Sequence, residues 1–312
     1  MKTTGSLFLL FLSLSTFAQQ NAIFYDKYFS ETDDKDKKYY RQVFQPDSNL
    51  FLITDFHITG EKYAIGYATE FPEKWKYERQ GRYLKFHKNL KVAESGIFKD
   101  GLQIGIGQEF YDNGEIFKRS RYTGEEDEIP KVTEVYSIDG EQLVIDGNGT
   151  SKEVNFEKET QNIGQYIDGL KEGDWLNETF EGKKRYVDTY KHGKLKRGVS
   201  YDSSGEAYSY KEISESATFK GGVNAMYSFI NHEIRYPANA QRSNIEGAVW
   251  LRFTIDSSGN IVNPKIIKSV SPGLDAEAKR VIKKMKGHWI PGEYRGQPSS
   301  VFFTMPIHFQ LE

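Results

Sequence analysis

Residues 247–270 read GAVWLRFTIDSSGNIVNPKIIKSV. In the first half of this stretch, apolar side chains occupy every second position, at Val249, Leu251, Phe253 and Ile255. Side chains along a strand point alternately to the two faces of a sheet, so this pattern predicts a strand with one face in a core. Turn residues follow from Asp256 to Asn260, and residues 261–270 are therefore predicted to return as the second strand of a hairpin.

A helix is predicted soon after this hairpin. Its apolar residues form a single stripe at helical spacing, at Leu274, Ala278, Val281, Ile282 and Met285. Acidic residues lie in its first turn and lysines in its last turn, which suits the helix dipole. Gly287 fits the left-handed conformation that often ends a helix. Trp289 is predicted to cover the junction of helix and sheet, and Pro291-Gly292 to turn the chain.

The last segment, VFFTMPIHFQL (residues 301–311), alternates in the same way. It contains Pro306, and a proline within a strand indicates a sheet edge or a bulge because it has no N–H. Another helix is predicted before the hairpin, with an apolar face formed by Met226, Phe229, Ile230 and Ile234. Pro237 is predicted to end that helix. Residues 213–312 are thus predicted to form an α+β domain of two helices and three antiparallel strands.

The middle of the chain contains internal repeats. Residues 96–114, GIFKDGLQIGIGQEFYDNG, align with residues 164–182, GQYIDGLKEGDWLNETFEG, through shared glycines and an Asp-Gly-Leu triplet. A third copy spans residues 189–210, and a weaker one spans residues 81–96. Each copy contains an X-Gly turn between aromatic strands, which is a strong hairpin signal. Because one hairpin cannot bury its apolar face alone, the copies are predicted to form one antiparallel sheet.

The N-terminal residues, MKTTGSLFLLFLSLSTFA, resemble a secretory signal peptide, with a positive start, an apolar run and small residues near its end. Cleavage after Ala18 would release a periplasmic or secreted protein. The alternative is an uncleaved inner-membrane anchor, although a membrane span needs about 20 apolar residues. Residues 19–80 are predicted to be a strand-rich segment with a charged arm.

The composition argues against several classes of function. The 42 basic and 44 acidic residues give a net charge of -2, which does not indicate a nucleic-acid partner. The absence of cysteine excludes disulfides, thiolate metal sites and cysteine nucleophiles. The six histidines lack metal-ligand spacing, and no serine lies in a recognisable nucleophile motif. We therefore predict no metal, no cofactor and no catalytic residue.

Residues 213–312 resemble the TonB C-terminal domain family. The similarity rests on an ordered set of marks: Phe219, Gly221-Gly222, Arg235-Tyr236-Pro237, Ile245, Gly247, Asp256, Gly259, Leu274-Asp275, Glu277-Ala278, Trp289, Pro291-Gly292, Pro306-Ile307 and Phe309. Residues 81–212 resemble MORN-like repeats of the YwqK type. The predicted domain order is therefore a signal peptide (1–18), a strand-rich segment (19–80), a repeat β domain (81–212) and a TonB-like domain (213–312).

The resemblance implies a protein partner, since TonB C-terminal domains contact outer-membrane receptors. A segment of the receptor adds a strand to an open sheet edge, and the main-chain hydrogen bonds supply affinity. The residues predicted along this edge are Ser299, Val301, Phe303 and Met305. The alternative is that these side chains belong to the core and the backbone alone binds. The positions predicted to carry the family motif for structural reasons are Tyr236, Pro237, Gly247, Asp275, Trp289, Pro291 and Gly292.

Three functions are compatible with these patterns. The first is a non-enzymatic periplasmic protein of the Gram-negative envelope that binds a TonB-dependent outer-membrane receptor or another protein. The second is a membrane-anchored TonB energy transducer, although the chain has only nine prolines and no proline-rich spacer. The third is a protein that binds or acts on cell wall or glycan, suggested by the aromatic repeats. The sequence carries no signal for the oligomeric state.

Overall fold

The computed structural model of the protein describes residues 22–26, 29, 31, 37–45, 49–72, 76–156 and 158–311. The predicted signal peptide lies outside these residues. The described chain is mostly β and ends in a small α+β domain, which confirms the predicted fold class. It divides into two compact units. The first comprises the described residues up to Ser151 with Tyr166–Leu170, and the second comprises Lys152–Gln165 and Lys171–Glu312.

Sixteen strands form an antiparallel meander in which the order in the sheet is the order in the chain. They are β1 (Ile23–Tyr25), β2 (Tyr39–Phe44), β3 (Phe51–His57), β4 (Lys62–Ala68), β5 (Arg79–Phe86), β6 (Val92–Lys99), β7 (Leu102–Phe110), β8 (Ile116–Thr123), β9 (Lys131–Tyr136), β10 (Gln142–Ile145), β11 (Asn148–Asn155), β12 (Thr160–Ile167), β13 (Leu170–Thr179), β14 (Lys184–Lys191), β15 (Lys194–Tyr201) and β16 (Ala207–Tyr210).

The predicted X-Gly turns are present in these hairpins. Asp168 and Gly169, between β12 and β13, have φ angles of 51° and 80°. Asp100-Gly101 and His192-Gly193 show the same pair of positive φ angles. Two consecutive residues with positive φ are what a two-residue hairpin turn requires. The hairpin strands thus fit a repeat, while the assignment to the MORN-like type stays a prediction.

Aromatic rings lie over glycines in the interior of several strands. A Cβ atom on Gly164 in β12 would overlap the indole of Trp175 in β13, and one on Gly198 in β15 would overlap the ring of Tyr210 in β16. Glycine inside a strand often marks such a close approach. The rings of one strand therefore pack directly on the backbone of the next.

The C-terminal domain combines short and long elements. They are β17 (Ser214–Glu215), β18 (Thr218–Phe219), α1 (Gly222–Glu233), α2 (Ala238–Arg242), β19 (Gly247–Ile255), β20 (Ile261–Lys268), α3 (Pro272–Lys284), β21 (Trp289–Ile290), β22 (Gly292–Tyr294), β23 (Gln297–Ser299) and β24 (Val301–Phe309). The main sheet of this domain has the strand order β20-β19-β24. Smaller sheets are formed by β17, β22 and β23, and by β18 and β21.

This region contains more elements than the two helices and three strands that the sequence predicts. Pro237 is the N-terminal cap of α2, a helix of five residues, as well as a residue that follows the end of α1. A helix of one turn has no recurring apolar face, so it leaves no periodic signal. The strands of two or three residues are also too short to show a period in the sequence. They form because they pair with segments that are distant in the chain.

The helix α3 forms as its sequence predicts. Its N-cap is Ser271, whose side-chain oxygen accepts a hydrogen bond from the backbone N–H of Leu274 at 3.4 Å. Pro272 occupies the first position of the helix, where a missing N–H costs nothing. The predicted apolar stripe is fully buried, with Leu274, Ala278, Val281, Ile282 and Met285 at 0 % exposure.

Within the second unit, Arg295 attaches the β22–β23 hairpin to the last strands of the meander. Its guanidinium Nη1 donates to both carboxylate oxygens of Asp188 on β14, at 2.6 and 2.7 Å, and to the Tyr210 hydroxyl at 2.6 Å. The guanidinium also lies 3.4 Å from the ring centre of Tyr186. The Arg295 carbonyl accepts a hydrogen bond from Ser200 Oγ at 2.8 Å. The hairpin is thereby fixed to the repeats by a buried charged cluster.

Candidate protein-binding edge

The sheet β20-β19-β24 has one covered face and one outer face. Along β19 every second residue is buried, at Val249, Leu251, Phe253 and Ile255. These residues belong to one apolar core with Met226 and Ile230 of α1 and the stripe of α3. The helices therefore cover one face of the sheet, and the alternate residues of its strands point to the other.

β24 is a regular edge strand. It pairs with β19 over nine consecutive residue pairs, from Gly247 opposite Phe309 to Ile255 opposite Val301, without a register shift. Among the described residues, β19 is its single neighbour in this sheet. β20 forms the opposite edge, but its pairing with β19 is interrupted by two register shifts. Bulges twist an edge away from further pairing, so β24 is the better template for an added strand.

Pro306 identifies the side of β24 that faces away from β19. Proline cannot donate to a ladder, and within a sheet its nitrogen lies on the open side of an edge strand. Backbone groups of alternate residues point to the same side of a strand. We infer that Thr304 and His308 direct their N–H and C=O groups outward together with Pro306, while the odd-numbered residues of β24 pair with β19.

The residues predicted along the edge lie in two different strands. Val301, Phe303 and Met305 belong to β24, where Met305 is buried and the other two pack partly buried against the core. Ser299 belongs to β23 and pairs with Gly292 of β22. The side chains of the three β24 residues are therefore on the helix-covered face. This placement matches the part of the alternative in which these side chains belong to the core, and contact of the backbone with a partner stays a prediction.

Exposed side chains accompany the outward backbone groups. Thr304 and His308 are exposed, and Phe302 has 45 % of its surface exposed. On the neighbouring strand, Trp250 and Arg252 are half-buried on the same outer face. An added strand along β24 would thus meet mixed apolar and polar side chains beside its backbone.

Four of the predicted motif residues hold the helices to the sheet. The Tyr236 hydroxyl donates to the carbonyl of Ile245 at 2.6 Å, and its ring lies edge-on to Phe309 at 5.8 Å. Burial raises the pKa of this hydroxyl. Pro237 caps α2. Gly247 has a φ of 146°, and a Cβ there would lie 3.1 Å from a methyl group of Val270.

The fourth, Asp275, joins the end of β20 to α3. Its carboxylate accepts hydrogen bonds from the Ser269 hydroxyl at 2.6 Å and from the Val270 N–H at 3.2 Å. A carboxylate in the first turn also interacts favourably with the helix dipole. Asp275 therefore fixes the angle at which α3 leaves the sheet.

The other three motif residues form the corner between α3 and β24. Trp289 is 3 % exposed, and its ring lies 4.8 Å from Phe303 and 5.5 Å from Phe219. Pro291 follows β21, and Gly292 begins β22. A Cβ on Gly292 would lie 2.7 Å from the carbonyl of Glu215 and would also overlap Val301. The corner is therefore closely packed, and it delivers the chain to the start of β24.

The part of the chain that contains this sheet matches a known protein family. Residues 232–311 match the family model described as Gram-negative bacterial TonB protein C-terminal. The match confirms the TonB-like part of the predicted resemblance. It spans all seven predicted motif residues and the whole of β24. We refer to residues 232–311 as the TonB-like segment.

Two solved structures are similar to part of this chain. Both are solution structures of the TonB C-terminal domain of Helicobacter pylori, covering residues 194–285 and 179–285 of that protein. The first is 28 % identical, covers 28 % of this chain and 90 % of its own, and has a TM-score of 0.24. The second is 27 % identical, covers 28 % and 78 %, and has a TM-score of 0.23. No curated protein matches this chain.

The TonB C-terminal domain is a protein-interaction domain of envelope transport, and its family interacts with outer-membrane receptors. Within the residues that the structure describes, no helix is long and apolar enough to cross a membrane. That this chain itself has no enzymatic activity stays a prediction.

Sequence patterns did not single out Arg295 or the outward set of β24. An available signal for Arg295 is the Arg-Gly pair between two short segments that could form a hairpin. Both residues have positive φ, 54° and 75°. For the outward set, the signal is Pro306, because the residues two positions away from it share its side of the strand.

Proposed function

We propose that this protein is a periplasmic, non-enzymatic binding protein whose TonB-like segment adds a strand of an outer-membrane transport receptor to the outer edge of β24. The observation that carries this proposal is the nine-residue regular pairing of β24 with β19 on one side. Main-chain groups on the other side supply the hydrogen bonds of β-augmentation. The outward backbone of Thr304 and His308 is the centre of this surface.

The proposal assigns the predicted edge residues a supporting role. Val301, Phe303 and Met305 anchor β24 to the core and keep the strand straight, while the groups that contact the partner belong to the alternate residues. Ser299, in β23, positions the start of the strand. Because Pro306 has no N–H, one backbone donor is missing on the side of β24 that faces away from β19. A missing donor at an exposed edge limits non-specific pairing with the strands of other proteins.

A pair of substitutions at one position tests this proposal. Thr304→Pro removes the outward N–H and places a ring where a partner strand would lie, whereas Thr304→Val keeps the backbone donor and a β-branched side chain. One backbone hydrogen bond is worth about 1 kcal/mol, and the ring adds a steric penalty. We expect Thr304→Pro to weaken binding about tenfold, with Thr304→Val close to the wild-type chain.

The measurement is photo-crosslinking with a reactive amino acid at His308, using outer-membrane extracts of the source bacterium, followed by mass spectrometry. The same thermal unfolding midpoint for both Thr304 variants serves as the folding control. Equal receptor crosslinking by the proline and valine variants would contradict strand addition at β24. If crosslinks form only to proteins other than transport receptors, strand addition at β24 would still be supported, but a transport receptor as the partner would be rejected.

The periplasmic location is part of the same proposal. It is supported by the envelope association of the matching family and by the apolar leader in the sequence. The MORN-like repeats are proposed to be a spacer and second interaction surface that carries the TonB-like segment. The domain boundaries at residues 18, 80 and 212 belong to the proposal as well.

A further inference from the structure

One of the differences between the two clearest repeat copies, residues 96–114 and 164–182, lies at a central position. When the two copies are aligned from Gly96 and Gly164 onward, Gly107 of β7 takes the position of Trp175. In the second copy the Trp175 indole lies over Gly164, and the Lys171 ammonium lies 3.8 Å from the centre of that ring. The first copy keeps the underlying glycine as Gly96 but has no indole to cover it.

A cavity of about 240 Å³ occupies the corresponding place in the first unit. Gln103, the counterpart of Lys171, lies over Gly96 and Gly107 and forms the floor of the cavity. The cavity is large enough for one six-membered sugar ring, and it is smaller than the pockets of about 300–1,000 Å³ that hold drug-sized ligands. The first copy therefore has a flexible amide with open space beside it where the second copy has a packed indole.

Aromatic rings and a guanidinium form the walls of this cavity. Tyr122 packs against Gly107 on one side. On the other side, the Arg79 guanidinium lies 4.0 Å from the ring centre of Tyr83 and 5.1 Å from that of Phe98. Burial raises the pKa of the Tyr83 hydroxyl to about 12, so it remains a neutral donor. Flat aromatic walls and neutral hydroxyls suit a ring that has both apolar faces and polar edges.

Two carboxylates lie side by side in the lining of the cavity. Glu94 of β6 and Glu109 of β7 are directly opposite in the ladder, and like charges in that position are destabilising. Their counterparts in the second copy, Asn162 and Asn177, hydrogen bond to each other at 2.7 Å. Carboxylates only accept hydrogen bonds, so the first copy has two acceptors in place of a pair of amides that hydrogen bond to each other.

Lysines on the flanking strands balance these charges. Glu94 accepts from Lys85 Nζ at 2.5 Å, and Glu109 pairs with Lys118 Nζ at 2.9 Å. The charges along β5 to β8 therefore run positive, negative, negative, positive, and Arg79 in the cavity wall adds one further positive charge. A site with this excess of positive charge does not attract a metal cation. A neutral ligand that donates several hydrogen bonds fits the two carboxylates better than an indole, which has a single donor.

We propose that this cavity of the first unit binds one pyranose ring of a neutral saccharide, with its hydroxyls donating to Glu94 and Glu109 and its ring between Tyr122 and the Arg79–Tyr83 wall. The site is separate from β24 and does not depend on the function proposed for it. The proposal concerns binding and includes no hydrolysis step.

The repeat itself supplies the variant that tests this proposal. The double variant Gly107→Trp, Gln103→Lys introduces the residues that the second copy has at these positions, Trp175 and Lys171. The new indole is expected to fill the cavity, as the indole of Trp175 fills the equivalent place in the second copy. The probes are glucose, galactose and N-acetylglucosamine, each measured with the full chain by saturation-transfer NMR in the presence of EDTA. We expect at least one sugar to bind the wild-type chain, and the transplanted variant to lose at least tenfold in affinity.

A second variant covers the case in which the transplant does not fold. Glu109→Gln removes one acceptor charge and the ion pair with Lys118, while Glu134→Gln, on β9 outside the cavity, removes the ion pair with Arg119. We expect about a tenfold loss for Glu109→Gln and less than twofold for Glu134→Gln. No binding of any of the three sugars to the wild-type chain, or equal losses from both glutamine variants, would overturn the proposal. Binding of N-acetyltryptophanamide in place of sugars would overturn the ligand class.

Discussion

Arg295 shows how much of the second unit depends on one side chain. Its guanidinium is buried, and it satisfies Asp188 and Tyr210 at once. Asp188 and Tyr210 in turn raise the pKa of the guanidinium, outweighing the opposing effect of burial. Burial and hydrogen bonding to Asp188 raise the pKa of the Tyr210 hydroxyl. The three groups therefore form one hydrogen-bonded buried cluster.

Removing this guanidinium is expected to destabilise the protein strongly. Arg295→Met leaves the Asp188 carboxylate buried without its cation, and breaking one partner of a buried ion pair costs about 3 kcal/mol. Denaturant unfolding measures the change, and Arg185→Met in the same region provides the control. In the Arg295→Met, Asp188→Asn double variant the loss should be smaller than the sum of the single losses. Additive losses would show that the two groups are not coupled.

At the scale of elements, Glu277 joins α3 to the segment that follows α1. Its carboxylate accepts from Arg280 Nε at 2.8 Å and Nη2 at 2.7 Å, and from the Arg235 N–H at 2.6 Å. The hydrogen bonds from Arg280, followed by that from the Arg235 backbone, lower the pKa of Glu277 despite partial burial. The TonB-like segment thus has an acid-sensitive contact between its helices.

This contact predicts a pH dependence of stability. Because the folded-state pKa of Glu277 lies below its ordinary value of 4.5, its contribution is present above that pH and is lost as the pH falls through the folded-state pKa. Glu277→Gln should lower the free energy of unfolding by about 1.5 kcal/mol at pH 7, and the difference should shrink as the pH falls below 4.5. Thermal unfolding of both proteins across this range measures it, with the exposed Glu215→Gln as control. A constant difference at all pH values would reject the ionised contact.

At the scale of the whole molecule, the proposed location depends on the leader. If the leader is cleaved after Ala18, the native protein begins at Gln19, and its intact mass lacks residues 1–18. Mass spectrometry of protein purified from its source bacterium, without a tag at the N-terminus, measures this. The full-length mass in the membrane fraction would instead favour the anchored energy transducer, since an uncleaved apolar leader retains the chain at the inner membrane.

Much of the architecture could be predicted because its signals are local. Alternation at Val249 to Ile255 gave β19, the stripe from Leu274 to Met285 gave α3, and the X-Gly pairs gave the hairpin turns. The one-turn helix α2 and the strands of two or three residues could not be predicted, since so few residues carry no period. The candidate edge was predicted as a strand, but the assignment of its outward groups needed the pairing register.

The sequence by itself determined which segments are strands, helices and turns, because side-chain periodicity and glycine conformation act over a few neighbouring residues. Only the tertiary structure decided that β24 is regular on its paired side, that Arg295 reaches Asp188 more than a hundred positions away, and that Glu94 faces Glu109 above two glycines. These features arise from register and from packing between distant segments. Register is set by the summed burial and hydrogen bonding of whole strands, which no single stretch of sequence encodes.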